Sequence, residues 1–139
     1  MKIPSDLFCG LFDSDELCIL KTLYERYAPR SQSEISVGRN RICINLGAYI
    51  IKLPRNGAGF IDNDWEGSIS NAPGENTETE IQYPHTRLFY VKKKVPILFM
   101  ETVTPAPFLK SPEWVYAIDS GQVGYTKRGR LVAYDYGIR

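Results

Sequence analysis

A chain of 139 residues with 43% apolar and 24% charged residues has the make-up of one globular domain with room for a real core. Its net charge of +1 lacks the basic bias that favours phosphate backbones, so no nucleic-acid partner is expected. The longest apolar runs, such as residues 95–100, are only a few residues long, and the N-terminus carries neither a basic patch nor a long apolar region, so no membrane span or secretory signal is expected.

The run Asp13-Ser14-Asp15-Glu16 offers a helix cap, and Leu17, Leu20, Leu23, Tyr24 and Tyr27 follow at helical spacing before Pro29. This predicts an amphipathic helix over residues 14–27. From Glu34 the period changes to two. Ile42, Ile44 and Leu46 alternate with Cys43 and Asn45, Gly47-Ala48 turns the chain, and residues 49–53 run back as the second arm of a hairpin. The alternation puts Ile50 and Lys52 on one face and Ile51 on the other. Gly57 to Gly59 punctuates the exit, and residues 60–70 read as a short helix carrying Trp65, taken as a core residue, and Glu66.

Residues 71–86 are polar and turn-rich and read as a loop. Strand character resumes over 87–91 and 95–103, joined by the solvated turn Lys92-Lys93-Lys94. Thr104-Pro105-Ala106-Pro107 breaks the second strand, and Ser111-Pro112 suits the start of a short helix over 112–118 with Trp114 and Val115 buried. A last hairpin joins residues 123–126 to 131–134 through Lys127-Arg128-Gly129-Arg130, with a positive backbone angle expected at the glycine. The elements add up to an α+β fold. Cys9, Cys18 and Cys43, odd in number and without a close pair, suit thiols in a reducing, cytoplasmic setting. The single His85, in the polar stretch Pro84-His85-Thr86, reads as a loop residue.

Hairpin, lysine near a strand end, helix with glutamate, two strands, helix, short hairpin and Asp-aromatic-Gly is the order of elements around a protein-kinase nucleotide site. Ile50-Ile51-Lys52 resembles the kinase Val-Ala-Ile-Lys strand, whose lysine reaches two phosphates and pairs with a glutamate on the next helix. The segment from Gly121-Gln122-Val123 through Gly129-Arg130-Leu131 to Tyr134-Asp135-Tyr136-Gly137 resembles the run from a kinase catalytic loop to its metal-binding Asp-Phe-Gly. The segment from Arg55 to Glu66 is similar to small kinase-like proteins of bacteria and their phages.

The resemblance implies a kinase N-lobe-like antiparallel sheet with helices and a short remnant ending at Asp-Tyr-Gly, residues 34–139, behind an N-terminal helical extension, residues 1–33. It implies a cofactor-binding set of Ile50, Lys52, Glu66, Glu101 and Val103, with Gln122 and Asp135 on a metal, so that Mg-ATP is the cofactor to test. It also departs from the family. Gln122 stands where asparagine is expected and Ala117, five positions before it, where the catalytic aspartate is expected; Asp119, only three positions before Gln122, fits only a differently shaped loop, and Gly38-Arg39-Asn40-Arg41 keeps one glycine of three. The sequence stops two residues beyond Gly137, so the C-lobe helices are not expected. These departures lead to the expectation of a catalytically degenerate protein with no bound cofactor, acting on a protein partner, such as a host enzyme or defence protein, or on a second copy. Phe108, Leu109, Trp114, Val115 and Ile138 are the expected contact residues. The alternative is a minimal Mg-ATP-binding phosphotransferase or nucleotidyl transferase. A third reading is an unrelated α+β binding module.

Overall fold

Helix formation begins where Asp13 and Glu16 satisfy each other's backbone donors. In a computed structural model, which describes residues 3–69, 83–105 and 123–133, helix α1 spans Ser14–Tyr27, as the periodicity predicts. The Asp13 carboxylate accepts from the Glu16 amide at 2.7 Å, and the Glu16 carboxylate accepts from the Asp13 amide at 2.9 Å, a reciprocal capping box. The Glu16 amide, opposed by desolvation and helped by Lys94, holds the Asp13 carboxyl below its usual value. The cap therefore contributes most above the unfolded pKa and is lost as pH falls through the lowered folded one.

Five strands form one antiparallel sheet in the order β1-β2-β3-β5-β4. They are β1 Ser36–Val37, β2 Arg41–Asn45, β3 Tyr49–Pro54, β4 Thr86–Val91 and β5 Val95–Glu101. Gly47, at φ +94°, turns β2 into β3. Alternation then sorts the side chains onto two faces. Ile42, Ile44, Ile51, Leu53, Val95 and Ile97 are buried against Leu7, Phe8 and the α1 residues Ile19 and Leu20, each such side chain contributing roughly 1.5–3 kcal/mol. Leu46 packs half-buried at the edge of this cluster. The opposite face carries Ile50, Lys52, Leu98 and Met100, in register as Ile50 opposite Met100 and Lys52 opposite Leu98.

Helix α2, Gly57–Ile69, covers that second face. It starts three residues before the predicted 60–70 because the Asn56 side chain accepts from the Gly59 amide at 2.9 Å and caps it. Glycine is required at 59 for a different reason than turning: a Cβ there would lie 2.2 Å from the Asn40 carbonyl oxygen and 2.9 Å from the Pro54 Cα. Trp65 departs from its expected core position. It is 41% exposed on the outer side of α2.

The ladder between β3 and β5 ends at Lys52 and Leu98. Beyond Leu53 and Ile97, the next hydrogen-bonding pair in this register would set Pro54 against Pro96, and neither has an amide hydrogen. The Asn63 side chain of α2 fills this gap, donating to the Pro96 and Lys52 carbonyls at 2.9 Å each. At the other end, the predicted strand 95–103 is two strands. Thr102 breaks it, its hydroxyl donating to the Gly47 carbonyl at 2.6 Å, and the chain enters a second sheet of β6 Val103–Pro105, β7 Val123–Thr126 and β8 Leu131–Ala133, in the order β6-β7-β8. Gly129 turns β7 into β8 at φ +82° as expected. The protein is thus α+β, with a five-stranded antiparallel sheet and two helices. The predicted helix 112–118 and most of the loop 71–86 lie outside the described residues. No described helix is long and apolar enough to cross a membrane.

The β4–β5 turn holds two non-glycine residues in left-handed conformation, Lys92 at φ 51° and Lys93 at φ 61°. Asn and Gly adopt this geometry with far less strain. The double substitution Lys92→Asn, Lys93→Gly is expected to raise stability by about 1 kcal/mol. It should be read as a higher urea midpoint at unchanged slope.

Candidate functional site

Period-two alternation in β2 and β3 aims Arg41 and Lys52 toward α2, and helical spacing puts Asp62, Asn63 and Glu66 on the face of α2 that meets them. The Lys52 ammonium lies 2.9 Å from one Glu66 oxygen, and the Arg41 guanidinium lies 2.5 Å from the other. Arg41 also donates to the Asn63 side-chain oxygen at 3.3 Å. All are buried: Arg41 is 6% exposed, Lys52 2%, and Glu66 and Asn63 0%. One carboxylate thus meets two cations from adjacent strands, while Asn63 ties the same helix turn to the backbone of β3 and β5.

Asp62 adds a second buried carboxylate, 3% exposed. It lines a cavity of about 100 Å³ between α2 and the β1–β2 turn, together with Ser36, Gly38, Arg39, Asn40, Arg41 and Cys43. The two buried cations, Arg41 and Lys52, equal in number the two buried carboxylates, Glu66 and Asp62, and Arg39 adds an exposed third cation at the cavity. A cavity of that size and polarity suits a few water molecules. The β1–β2 turn itself is closed by the Gly38 amide donating to the Arg41 carbonyl at 2.9 Å.

Of the cofactor-binding set expected from the sequence, Ile50, Lys52 and Glu66 share the α2 side of the sheet, Ile50 half-buried. Glu101 pairs with Tyr49, so its side chain is on the α1 side. There it accepts from the His85 amide at 2.9 Å and pairs with Arg130 at 3.1 Å. Val103 belongs to the second sheet, opposite Thr126. Gln122, Asp135, Phe108, Leu109, Trp114, Val115 and Ile138, like Ala117 and Asp119, lie outside the described residues. Among the described residues no cluster of His, Cys, Asp and Glu could hold a metal ion, and Cys9 and Cys18 are free thiols.

Arg41, which closes the one-glycine turn Gly38-Arg39-Asn40-Arg41 in the sequence, is turned to Glu66. Asp62 and Asn63 were not singled out. The signal was present in their spacing, four and three residues before Glu66, which puts all three on one helical face.

No family model, curated protein or solved structure matches the chain.

The charge arrangement predicts unequal costs of substitution. Glu66→Ala leaves two buried cations without their shared anion and is expected to cost about 3–5 kcal/mol. Lys52→Met removes one cation and leaves Glu66 neutralised by Arg41, so its cost should be the smaller of the two. Urea denaturation of both variants decides it, and equal losses would show that Arg41 carries no compensating charge.

Proposed function

We propose that the chain is a catalytically degenerate kinase-like protein that works by binding another protein. The observation that carries this reading is the burial of Lys52 and Glu66 together with Arg41. In a working kinase the strand lysine divides its charge between the helix glutamate and two phosphates. Here Lys52 is 2% exposed, and a second cation already meets its carboxylate. A phosphate would have to displace packed side chains to reach it. The ion pair then serves to dock α2 on the sheet.

The sequence supports the same reading. Ala117 at the position of the catalytic aspartate supplies no base, and a positioned base contributes about 10²- to 10⁴-fold to such a reaction. Gln122 in place of asparagine weakens the metal site that the resemblance implies. A partner protein, such as a host enzyme or defence protein, or a second copy of the chain, is what remains for the molecule to act on.

One observation favours the alternative, a Mg-ATP-binding phosphotransferase: a lysine–glutamate pair between the third strand and the next helix is what active kinases assemble. Titration with magnesium and a fluorescent nucleotide separates the two readings. The expected result is no saturable binding up to about 1 mM, the upper end of ordinary substrate constants, and no phosphoryl transfer to a general protein substrate. Saturable binding that Lys52→Met abolishes, in a variant that still melts cooperatively, would overturn the degenerate reading in favour of the enzyme.

A further inference from the structure

The two edges of the five-stranded sheet are unlike. β1 is two residues long and offers little to pair with. β4 is six residues, Thr-Arg-Leu-Phe-Tyr-Val, paired with β5 without interruption, and no described strand lies beyond it. It contains no proline, lysine or bulge, three of the devices that usually stop an edge from pairing with another chain, and its one charged residue is Arg87.

The direction of its backbone groups follows from one hydrogen bond. The Glu101 amide donates to the His85 carbonyl at 3.0 Å, and antiparallel pairs alternate between bonded and non-bonded. Arg87, Phe89 and Val91 therefore turn their backbone groups toward β5. Leu88 and Tyr90 turn theirs to the open edge, where the Tyr90 carbonyl accepts from the Lys93 amide at 3.2 Å. The Leu88 amide and carbonyl and the Tyr90 amide face outward and meet no backbone partner among the described residues.

The side chains beside this edge have a defined character. On the α1 side, the Phe99 ring meets Tyr49 and Phe89 edge-on, with centroids 5.4 and 5.6 Å away. α1 ends here at Tyr27, whose ring lies 6.4 Å from that of Phe99. Phe89 is 46% and Tyr49 38% exposed. Between them opens a cavity of about 450 Å³, lined on this side by Tyr49, Phe89 and Phe99, with His85, Arg87 and Glu101, the last paired with Arg130, among its polar members. That volume is in the range of ordinary ligand pockets. The Arg87 guanidinium lies 5.6 Å from the Phe89 ring centroid and meets no carboxylate among the described residues.

We propose that the open edge of β4 binds an extended peptide segment of a partner protein by strand addition. The segment carries an acidic residue opposite Arg87 and, two positions away, a large apolar residue opposite Phe89 whose side chain enters the aromatic cavity. Main-chain bonds to Leu88 and Tyr90 supply affinity, and period-two side chains supply specificity. Arg87 and Phe89 sit at the non-bonded positions toward the newcomer, where paired side chains come closest. The surface is on the opposite side of the sheet from the Lys52–Glu66 pair, so the proposal stands whether or not a nucleotide binds.

Fluorescence anisotropy with labelled peptides in a threonine background tests it. Asp-x-Phe is compared with Lys-x-Phe and Asp-x-Ser, alongside amide exchange of the full chain. The expected result is saturable binding of Asp-x-Phe, at least about fivefold weaker binding of each control, and slowed exchange at the Leu88 and Tyr90 amides on peptide addition. Arg87→Glu, a change at an exposed position, should reverse the preference toward Lys-x-Phe. Equal affinity for all three peptides, no binding, or unchanged exchange at Leu88 and Tyr90 would overturn the proposal. So would a stable dimer of the chain that already protects those two amides without peptide, since the edge would then belong to a second copy.

Discussion

A single buried carboxylate holds the architecture in one arrangement. Glu66 meets Lys52 of β3 and Arg41 of β2, so the helix, the middle strand and its neighbour are fixed to one another by charge as well as by packing. A buried ion pair is a weak source of net stability, because desolvating the charges offsets most of their attraction. Its effect is on geometry. A helix sliding along the sheet by even one turn would separate Glu66 from both cations, and the loss would fall on three charges out of water. Asn63, bonded to the carbonyls of Lys52 and Pro96, holds the same helix turn by neutral contacts.

The two faces of the sheet consequently differ in kind. The α1 face is aliphatic around Ile42, Ile44, Ile51, Leu53 and Ile97, and becomes aromatic where α1 ends. The α2 face holds the polar network. Chemistry that depends on Lys52 and recognition that depends on Phe89 or Arg87 are separated by the thickness of the sheet, so a substitution in one leaves the other's surface intact.

Much of this was legible in the residues, and the rest fails for identifiable reasons. Period two across residues 42–53 gave both faces of the hairpin, and the spacing from Asp13 to Glu16 gave the start of α1, because local patterns decide both. The start of α2 was misread because Gly57 and Gly59 look like punctuation. Only the packing of Gly59 against Asn40 and Pro54 shows that the second glycine is there for close approach. Thr102 looks like an ordinary strand residue, and its break depends on a distant acceptor, the Gly47 carbonyl. Lys52 and Glu66 were paired by resemblance to kinases. Arg41 joined them only in three dimensions, since a strand residue's partner on a later helix leaves no spacing to count.

Pro54 and Pro96 have a consequence for how the strands find each other. If β5 slipped one residue against β3, its own side chains would change faces, sending Leu98 and Met100 to the α1 side and Glu101 toward α2. A slip of two residues keeps the faces but sets a proline against Lys52 or against Leu98, depending on direction. That residue's carbonyl would then lack its ladder donor, at a cost of about 1–3 kcal/mol when buried. The proline pair therefore acts as a stop on alignment. It admits one register from either side and leaves at its end the opening that Asn63 occupies.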